Sequence, residues 1–385
     1  MQNFDFYNPT RICFGEGQIA KLNELIPAQA KVMILLGGNS ARATGTLAEV
    51  KTALGDRETL EFNGIEPNPT YETLMQAVAE VKSQNVDFLL AVGGGSVIDG
   101  TKFIAAATLF EGDPWEIMTS FGSKVKAAMP FGSVLTLPAT GSEMNSGSVV
   151  TKSDIKAKLP FMSPLVFPQF SILDPVKTYT LPERQIANGI VDAFVHTTEQ
   201  YLTYPVDAAV QDRFAEGLLL TLIEQGPLAL KEPENYKVRA NLMWTATSAL
   251  NGYIGVGVPH DWATHMIGHE LTAQHDIDHA RTLAIVLPAV LRHAKQDKRQ
   301  KLLQYAERVW AITEGSEDER IDSAIEQTQA FFESLGIGTR LRDYQLDESH
   351  IDTIIEQLTN HGMVALGEHQ KIDPASSREI LMSAL

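Results

Sequence analysis

Two short apolar runs in the first half of the chain end at glycines, and a third runs into a glycine-containing loop. They are KVMILLGG (31–38), DFLLAVGGG (87–95) and SVLTLPATGSE (133–143). An apolar run without polar alternation is buried on both faces, as a strand inside a parallel sheet is. Between the first two lies TYETLMQAVAEVKSQN (70–85), with Leu74, Ala77, Val78 and Val81 at helical spacing, and SVIDGTKFIAAAT (96–108) follows the second as another helix candidate. Strands alternating with helices imply a mostly parallel sheet covered on both faces.

Past about residue 181 the texture changes, and long helical patterns replace the β-branched runs. In DERIDSAIEQTQAFFESLG (318–336), Ile321, Ala324, Ile325, Thr328, Phe332 and Leu335 form one stripe, and Gly336 stands where a C-terminal cap is expected. The change falls near SILDPVKTYTLPERQ (171–185), which carries two prolines and an Asp-Pro pair. The expected architecture is a Rossmann-like α/β domain over 1–180 and an all-α domain over 181–385, a length that lets each bury its own core.

A formal charge of −17 argues against nucleic acid and anionic membrane surfaces as partners. The single cysteine, Cys13, excludes an internal disulfide and any thiolate-based zinc module. The opening MQNFDFYNPTRICFG lacks a basic segment followed by an apolar run, and the uncharged stretches 159–173 and 240–259 are broken by Gly, Pro, Ser or Asn. No secretory signal or membrane span is read, and a cytoplasmic enzyme is expected.

Glycines between a strand and a helix let a ligand approach the backbone, and the N–H groups at the helix start attract phosphate. LLAVGGGSVIDGTKF (89–103) has this form without being the usual dinucleotide fingerprint, since Ile98 stands where a third glycine belongs. A tight strand-to-helix turn with Asp99 in the first helical turn is the alternative. The loop GGNSARATG (37–45) offers Asn39, Ser40 and Arg42 and no acid. An acid there accepts from the ribose 2′-OH of NAD and repels a 2′-phosphate, so its absence favours NADP over NAD; an ordinary solvated turn is the alternative.

Five of the ten histidines, His260, His265, His269, His275 and His279, fall within 260–281. His265 and His269 are four apart, as are Asp192 and His196, so on a helix each pair shares a face. Two such pairs favour a metal site over unrelated core histidines. On one unbroken helix His265 and His279 would lie about 21 Å apart, whereas bonds to one zinc ion are about 2 Å long. Both serve one ion only if the helix breaks, and QHDID (274–278) is the expected break. A zinc-protease motif starting at His269-Glu270 fails at Ala273. Carboxylate and imidazole ligands without thiolate suit Fe²⁺ or Zn²⁺.

These residues resemble the iron-containing (group III) alcohol dehydrogenases. The resemblance rests on TRICFGEG (10–17), GIEPNPTYETL (64–74), AVGGGSVIDGTKFIA (91–105), LPATGSEMN (137–145), DAFVHTTEQY (192–201) and HMIGHE…HDIDHA (265–280). Within the family, the NADP-dependent aldehyde reductases similar to butanol dehydrogenases are nearest. The resemblance implies a dehydroquinate synthase-like architecture, a homodimer, and a site in the cleft between the two domains. It implies metal ligation by Asp192, His196, His265 and His279, with His269 near nicotinamide and substrate. Gly37, Gly38, Asn39 and Ser40 fall in the first nucleotide loop, and Gly94, Gly95, Ser96 and Asp99 in the pyrophosphate loop. Thr136, Thr140 and Asn145 match a second cofactor segment, and Lys158 a ribose contact. His260 and His275 receive no role.

The implied reaction is hydride transfer between NADP(H) and a small aldehyde or primary alcohol, with a divalent cation polarising the carbonyl. Rivals are a glycerol-type polyol dehydrogenase, a metal- and NAD-dependent lyase of the dehydroquinate synthase type, and a non-enzymatic nucleotide- or metal-binding protein. The absence of Lys and Arg from 240–270 disfavours the lyase, whose polyanionic substrate calls for cationic groups.

Overall fold

The computed structural model describes all 385 residues. The three apolar runs form β2 (Val32–Leu36), β4 (Phe88–Gly94) and β5 (Phe131–Leu137). With β1 (Arg11–Phe14), β3 (Thr59–Phe62) and β8 (Phe170–Leu173) they make a six-stranded sheet of order β1-β8-β5-β4-β2-β3. Every pairing in it is parallel. Met33, Leu35, Leu89, Ala91 and Leu135 enter one apolar cluster, and Val32, Ile34, Leu36, Leu90, Val92 and Val134 another. Both faces are therefore covered, which is why the strands show no polar alternation. β6 (Gly147–Lys152) and β7 (Ala157–Met162) form a separate antiparallel pair.

The helices expected at 70–85 and 96–108 are α1 (Tyr71–Ser83) and α2 (Gly95–Leu109). Thr70 caps α1, its side chain accepting from the Thr73 N–H. All eight strands precede residue 174, and long helices follow. They include α3 (Glu183–Tyr201), α4 (Ala209–Lys231), α5 (Ala263–His275), α6 (His279–His293), α7 (Arg299–Arg308), α8 (Glu317–Ser334), α9 (Glu348–Asn360) and α10 (Pro374–Ser383). In α8 a Ser316–Glu319 capping box starts the helix, and Gly336 at φ 78° follows its end.

The chain forms two compact units, and neither is a continuous half. One comprises Tyr7–Pro182 and Pro233–Thr247 and holds the sheet. Its late segment places Met243 in the sheet's core, sets Trp244 edge-on to Phe14 at 6.1 Å, and has the Thr247 hydroxyl donating to Glu143. The other comprises Met1–Phe6, Glu183–Glu232 and Ser248–Leu385. There the Gln2 N–H donates to the Gly257 carbonyl at 2.9 Å and Phe6 packs on Tyr253. These returns of the chain lie beyond a division at 180/181, because long-range packing decides them and local sequence texture does not report it.

Inside the sheet, Gly132 faces Phe170, which stacks on Phe88 at 6.0 Å. A Cβ at Gly132 would stand 2.3 Å from the Phe170 ring. Gly132→Ala is therefore expected to lower stability by about 1–3 kcal/mol through overpacking, read from the denaturant midpoint. An unchanged midpoint would show that the ring has room to move.

Candidate metal centre and nucleotide loop

Every residue of α3 from Ile186 to Tyr201 is buried, and Asp192 and His196 project from it one turn apart. His265 lies near the start of α5. That helix stops at Asp276, whose backbone is left-handed at φ 53°, and His279 opens the next helix. The break falls inside the expected segment and brings His279 back beside His265, with ring centres 5.2 Å apart. Asp192, His265 and His279 each offer a ligand atom, all within 4.8 Å of one another.

His196 stands at the edge of this trio. Its Nδ1 and the His279 Nε2 are each 3.8 Å from Asp192 Oδ1, and its ring stacks on His265 at 4.6 Å. Ligands of one tetrahedral ion with bonds of about 2.0–2.1 Å stand about 3.3–3.4 Å apart, so the spacing suits a shared ion better than direct hydrogen bonds. His196 Nδ1 is buried and has no hydrogen-bond partner. Burial lowers the His196 pKa to about 4, against the pull of Asp192, so the ring is neutral near pH 7 and has a lone pair to donate. A thiolate-free set of one carboxylate and three imidazoles fits Fe²⁺ or Zn²⁺.

Sequence reasoning missed Glu199. It is wholly buried, and one carboxylate oxygen accepts from the Thr264 N–H at 2.7 Å while the other pairs with His265 Nδ1. Burial raises its pKa well above the carboxylate range, with Asp261 adding to the rise and the Thr264 and His265 N–H groups and Lys298 opposing it. One proton shared by the pair, placed on Nδ1, turns the Nε2 lone pair toward the trio; this is the usual outer support of a metal-binding histidine. The signal was present: Asp192, His196 and Glu199 follow a four-then-three spacing that keeps them on one helix face.

His269 is buried with its ring centre 5.1 Å from His279 and 6.1 Å from His265, and it is not one of the trio. The other two histidines of the cluster are placed elsewhere. His260 Nδ1 accepts from Trp262 Nε1, its Nε2 bonds the Gly255 carbonyl at 2.8 Å, and burial lowers its pKa. His275 packs against the His350 ring at 5.4 Å.

In the sheet unit β4 runs directly into α2, and no side chain caps the helix start at Gly94. Space there is restricted. A Cβ on Gly95 would lie 2.4 Å from Thr140 Oγ1, one on Gly93 2.5 Å from Val97, and one on Gly37 3.1 Å from the Ile65 carbonyl. Ser96 is in the first turn of α2, and Thr136 is the residue skipped where the β4–β5 register shifts at Gly93/Gly94. Asp99 accepts from the Ser142 hydroxyl and from the Val149 N–H at 2.9 Å, which ties α2 to the loop bearing Thr140 and Asn145. Its pKa is raised by desolvation, with Lys102 opposing.

Lys102, also missed, is fully buried one turn beyond Asp99 and donates to Asn145 Oδ1 at 2.8 Å and to the Gly147 carbonyl at 2.7 Å. Burial lowers its pKa to about 8, against Asp99 and Glu143. Lys158 is buried on β7 and donates to Asn68 at 2.8 Å. Gly38, Asn39 and Ser40 are exposed after β2, where 40–43 forms one helical turn. Arg42 donates to Glu61 and to Asn63, and Lys51 pairs with the same Glu61.

Residues 9–175 match the family model for iron-containing alcohol dehydrogenase, and residues 186–384 match that for the C-terminal part of the Fe-containing alcohol dehydrogenase family. The chain belongs to this family. It is 61% identical to the NADPH-dependent aldehyde reductase YqhD of Escherichia coli and 43% identical to a probable NADH-dependent butanol dehydrogenase of Bacillus subtilis, covering 100% of itself and of each relative. Its fold superposes on the crystal structure of the E. coli protein with a TM-score of 0.99, covering 100% and 99% of the two chains. With a Thermotoga maritima NADH-dependent butanol dehydrogenase, 35% identical, the TM-score is 0.95 over 100% and 99% of the two chains. No helix is long and apolar enough to cross a membrane.

Glu199→Gln keeps the shape and removes the charge that orients His265. The expected result is a loss of metal affinity of about 10- to 100-fold, measured by competition with a chelator. Affinity equal to that of the unaltered protein would remove Glu199 from the centre.

Proposed function

We propose that this chain is a metal-dependent NADPH aldehyde reductase and alcohol dehydrogenase acting on short-chain aldehydes and primary alcohols. The observation that carries the reading is the convergence of buried Asp192 and His265 with half-buried His279, and His196 alongside, in a cluster without thiolates. These four residues hold the divalent cation. When bound, the cation supplies Lewis acidity to a carbonyl oxygen and the nucleotide supplies hydride. Glu199 orients His265, and we assign His269 to substrate and nicotinamide positioning and to proton delivery.

In this reading residues 1–180 carry the nucleotide and residues 181–385 the metal. Gly94, Gly95 and Ser96 receive the pyrophosphate, and Asp99, Thr136, Thr140, Asn145 and Lys158 shape the rest of the cofactor site. Gly37, Gly38, Asn39 and Ser40 face the adenosine ribose. Asn39 offers no charge there, and Glu61 is held by two cations, Lys51 and Arg42, with its pKa lowered chiefly by Lys51. That balance suits a 2′-phosphate. By family analogy the enzyme is a cytoplasmic homodimer.

The test is a matrix of NADH and NADPH against a series of short aldehydes, with glycerol as a comparison substrate and the metal content assayed. NADPH with a short aldehyde is expected to give the highest kcat/KM; a strong NADH preference would overturn the assignment of the first loop. His265→Ala is expected to abolish both metal retention and turnover, and undiminished butanal reduction by the metal-free variant would refute the metal's role.

A further inference from the structure

Behind the metal centre lies a buried ammonium that the reaction itself does not use. Lys298 immediately precedes α7, and its side chain is 1% exposed. Nζ donates to the Leu202 carbonyl at 2.7 Å and to both Glu368 oxygens at 2.8 Å, and it pairs with Asp261 Oδ2 at 2.9 Å. One cation thus joins the end of α3, the turn before α5 and the segment before α10. Burial disfavours the charge, but Asp261 and Glu368 outweigh it and raise the lysine's pKa.

From Asp261 the connection runs on to a metal ligand. The other Asp261 oxygen accepts from the Ala263 N–H at 3.0 Å, and the Asp261 N–H donates to the Glu199 carbonyl at 2.9 Å. The next N–H, of Thr264, donates to the Glu199 carboxylate, which pairs with His265. Between Asp261 and Ala263, Trp262 is left-handed at φ 62°. A bulky residue does not choose that conformation, so neighbouring contacts must hold the turn.

We infer that Lys298 is a positioning residue for the metal centre, holding Asp261 so that the 261–264 turn presents His265 to Glu199 and to the ligand trio. The inference rests on the metal-dependent reading above. Electrostatics and geometry make opposite predictions here. If the ammonium acted only through its field, removing it would leave the pocket more negative and raise affinity for a dication. If it positions the turn, removing it lowers that affinity.

The experiment titrates Zn²⁺ into metal-free wild-type protein, K298M, D261N and the double variant, using a competing chelator and the metal-induced rise in Tm. NADPH binding serves as a control on the sheet unit. Each single variant is expected to bind Zn²⁺ about ten-fold more weakly, the lower end for outer-shell partners. The double variant should bind no more weakly than the worse single one, because both act through one linkage. NADPH affinity should stay within two-fold. D261N retains the oxygen that accepts from Ala263 but also loses a negative charge, so its loss alone fits either account; K298Q, which removes the ammonium as well, carries the test should K298M fail to fold. Unchanged or tighter Zn²⁺ binding by either variant overturns the inference, as does equal loss of NADPH binding. Failure of the wild-type protein to bind Zn²⁺ would instead overturn the metal-dependent reading.

Discussion

His265 and His279, fourteen residues apart, meet because Asp276 takes a left-handed backbone. Its N–H still bonds the Thr272 carbonyl at 3.0 Å, so α5 is completed before the chain turns. Aspartate tolerates this conformation better than most side chains do. Asp278 then secures the turn from outside. Its carbonyl accepts from the Arg281 and Thr282 N–H groups, which starts α6, and its carboxylate accepts from Arg184 and Asn188 at 2.7 Å. Both donors lie on α3, the helix that carries Asp192 and His196. One helix therefore carries two of the candidate ligands, the Glu199 partner of His265, and the anchor of the loop leading to His279.

Close packing sets the remaining distance. A Cβ on Gly268 would lie 2.9 Å from Thr282 Oγ1, so α5 and α6 approach through the glycine between His265 and His269. Apolar residues fix the opposite side. Ile267 and Leu271 of α5 and Ile285, Val286 and Val290 of α6 share one cluster with Ile351, Ile354 and Ile380. The spacing of these histidines is thus an outcome of helix packing around an apolar core, and the polar residues occupy the face that packing leaves to them.

The features readable in the sequence were those set by short spacing. The strands of the parallel sheet were legible because burial on both faces removes alternation, and the helix break because QHDID disfavours continuation. The i,i+4 pairs Asp192/His196 and His265/His269 do lie on helices. What escaped were partners separated by long stretches of chain, such as the pairing of His265 with Glu199 or of Lys102 with Asn145. Nothing local marks Lys298 as buried; it lies in a run of charged residues, DKRQK (297–301), that reads as solvated surface. Asp99 stands in the glycine motif that the sequence reading gave to a nucleotide, and its bonds to Ser142 and Val149 show a side chain bracing that loop.

Burying Asp192, Glu199, Asp261 and Glu368 with four histidines around them is costly unless charge is balanced. Lys298 offsets part of the negative charge. A proton shared by Glu199 and His265 offsets more, but His196 adds none near neutrality, because the folded pocket refuses a proton on it until pH falls to about 4, below the ordinary value of 6.5. Between those values the unfolded chain binds the proton more readily, so stability contributed by the neutral ring is lost as pH falls through this window. A divalent cation meets the same demand without protonating the ligands, and it binds the folded arrangement and not the open chain. A cation held by these residues is therefore expected to couple the stability of the helical unit to metal binding.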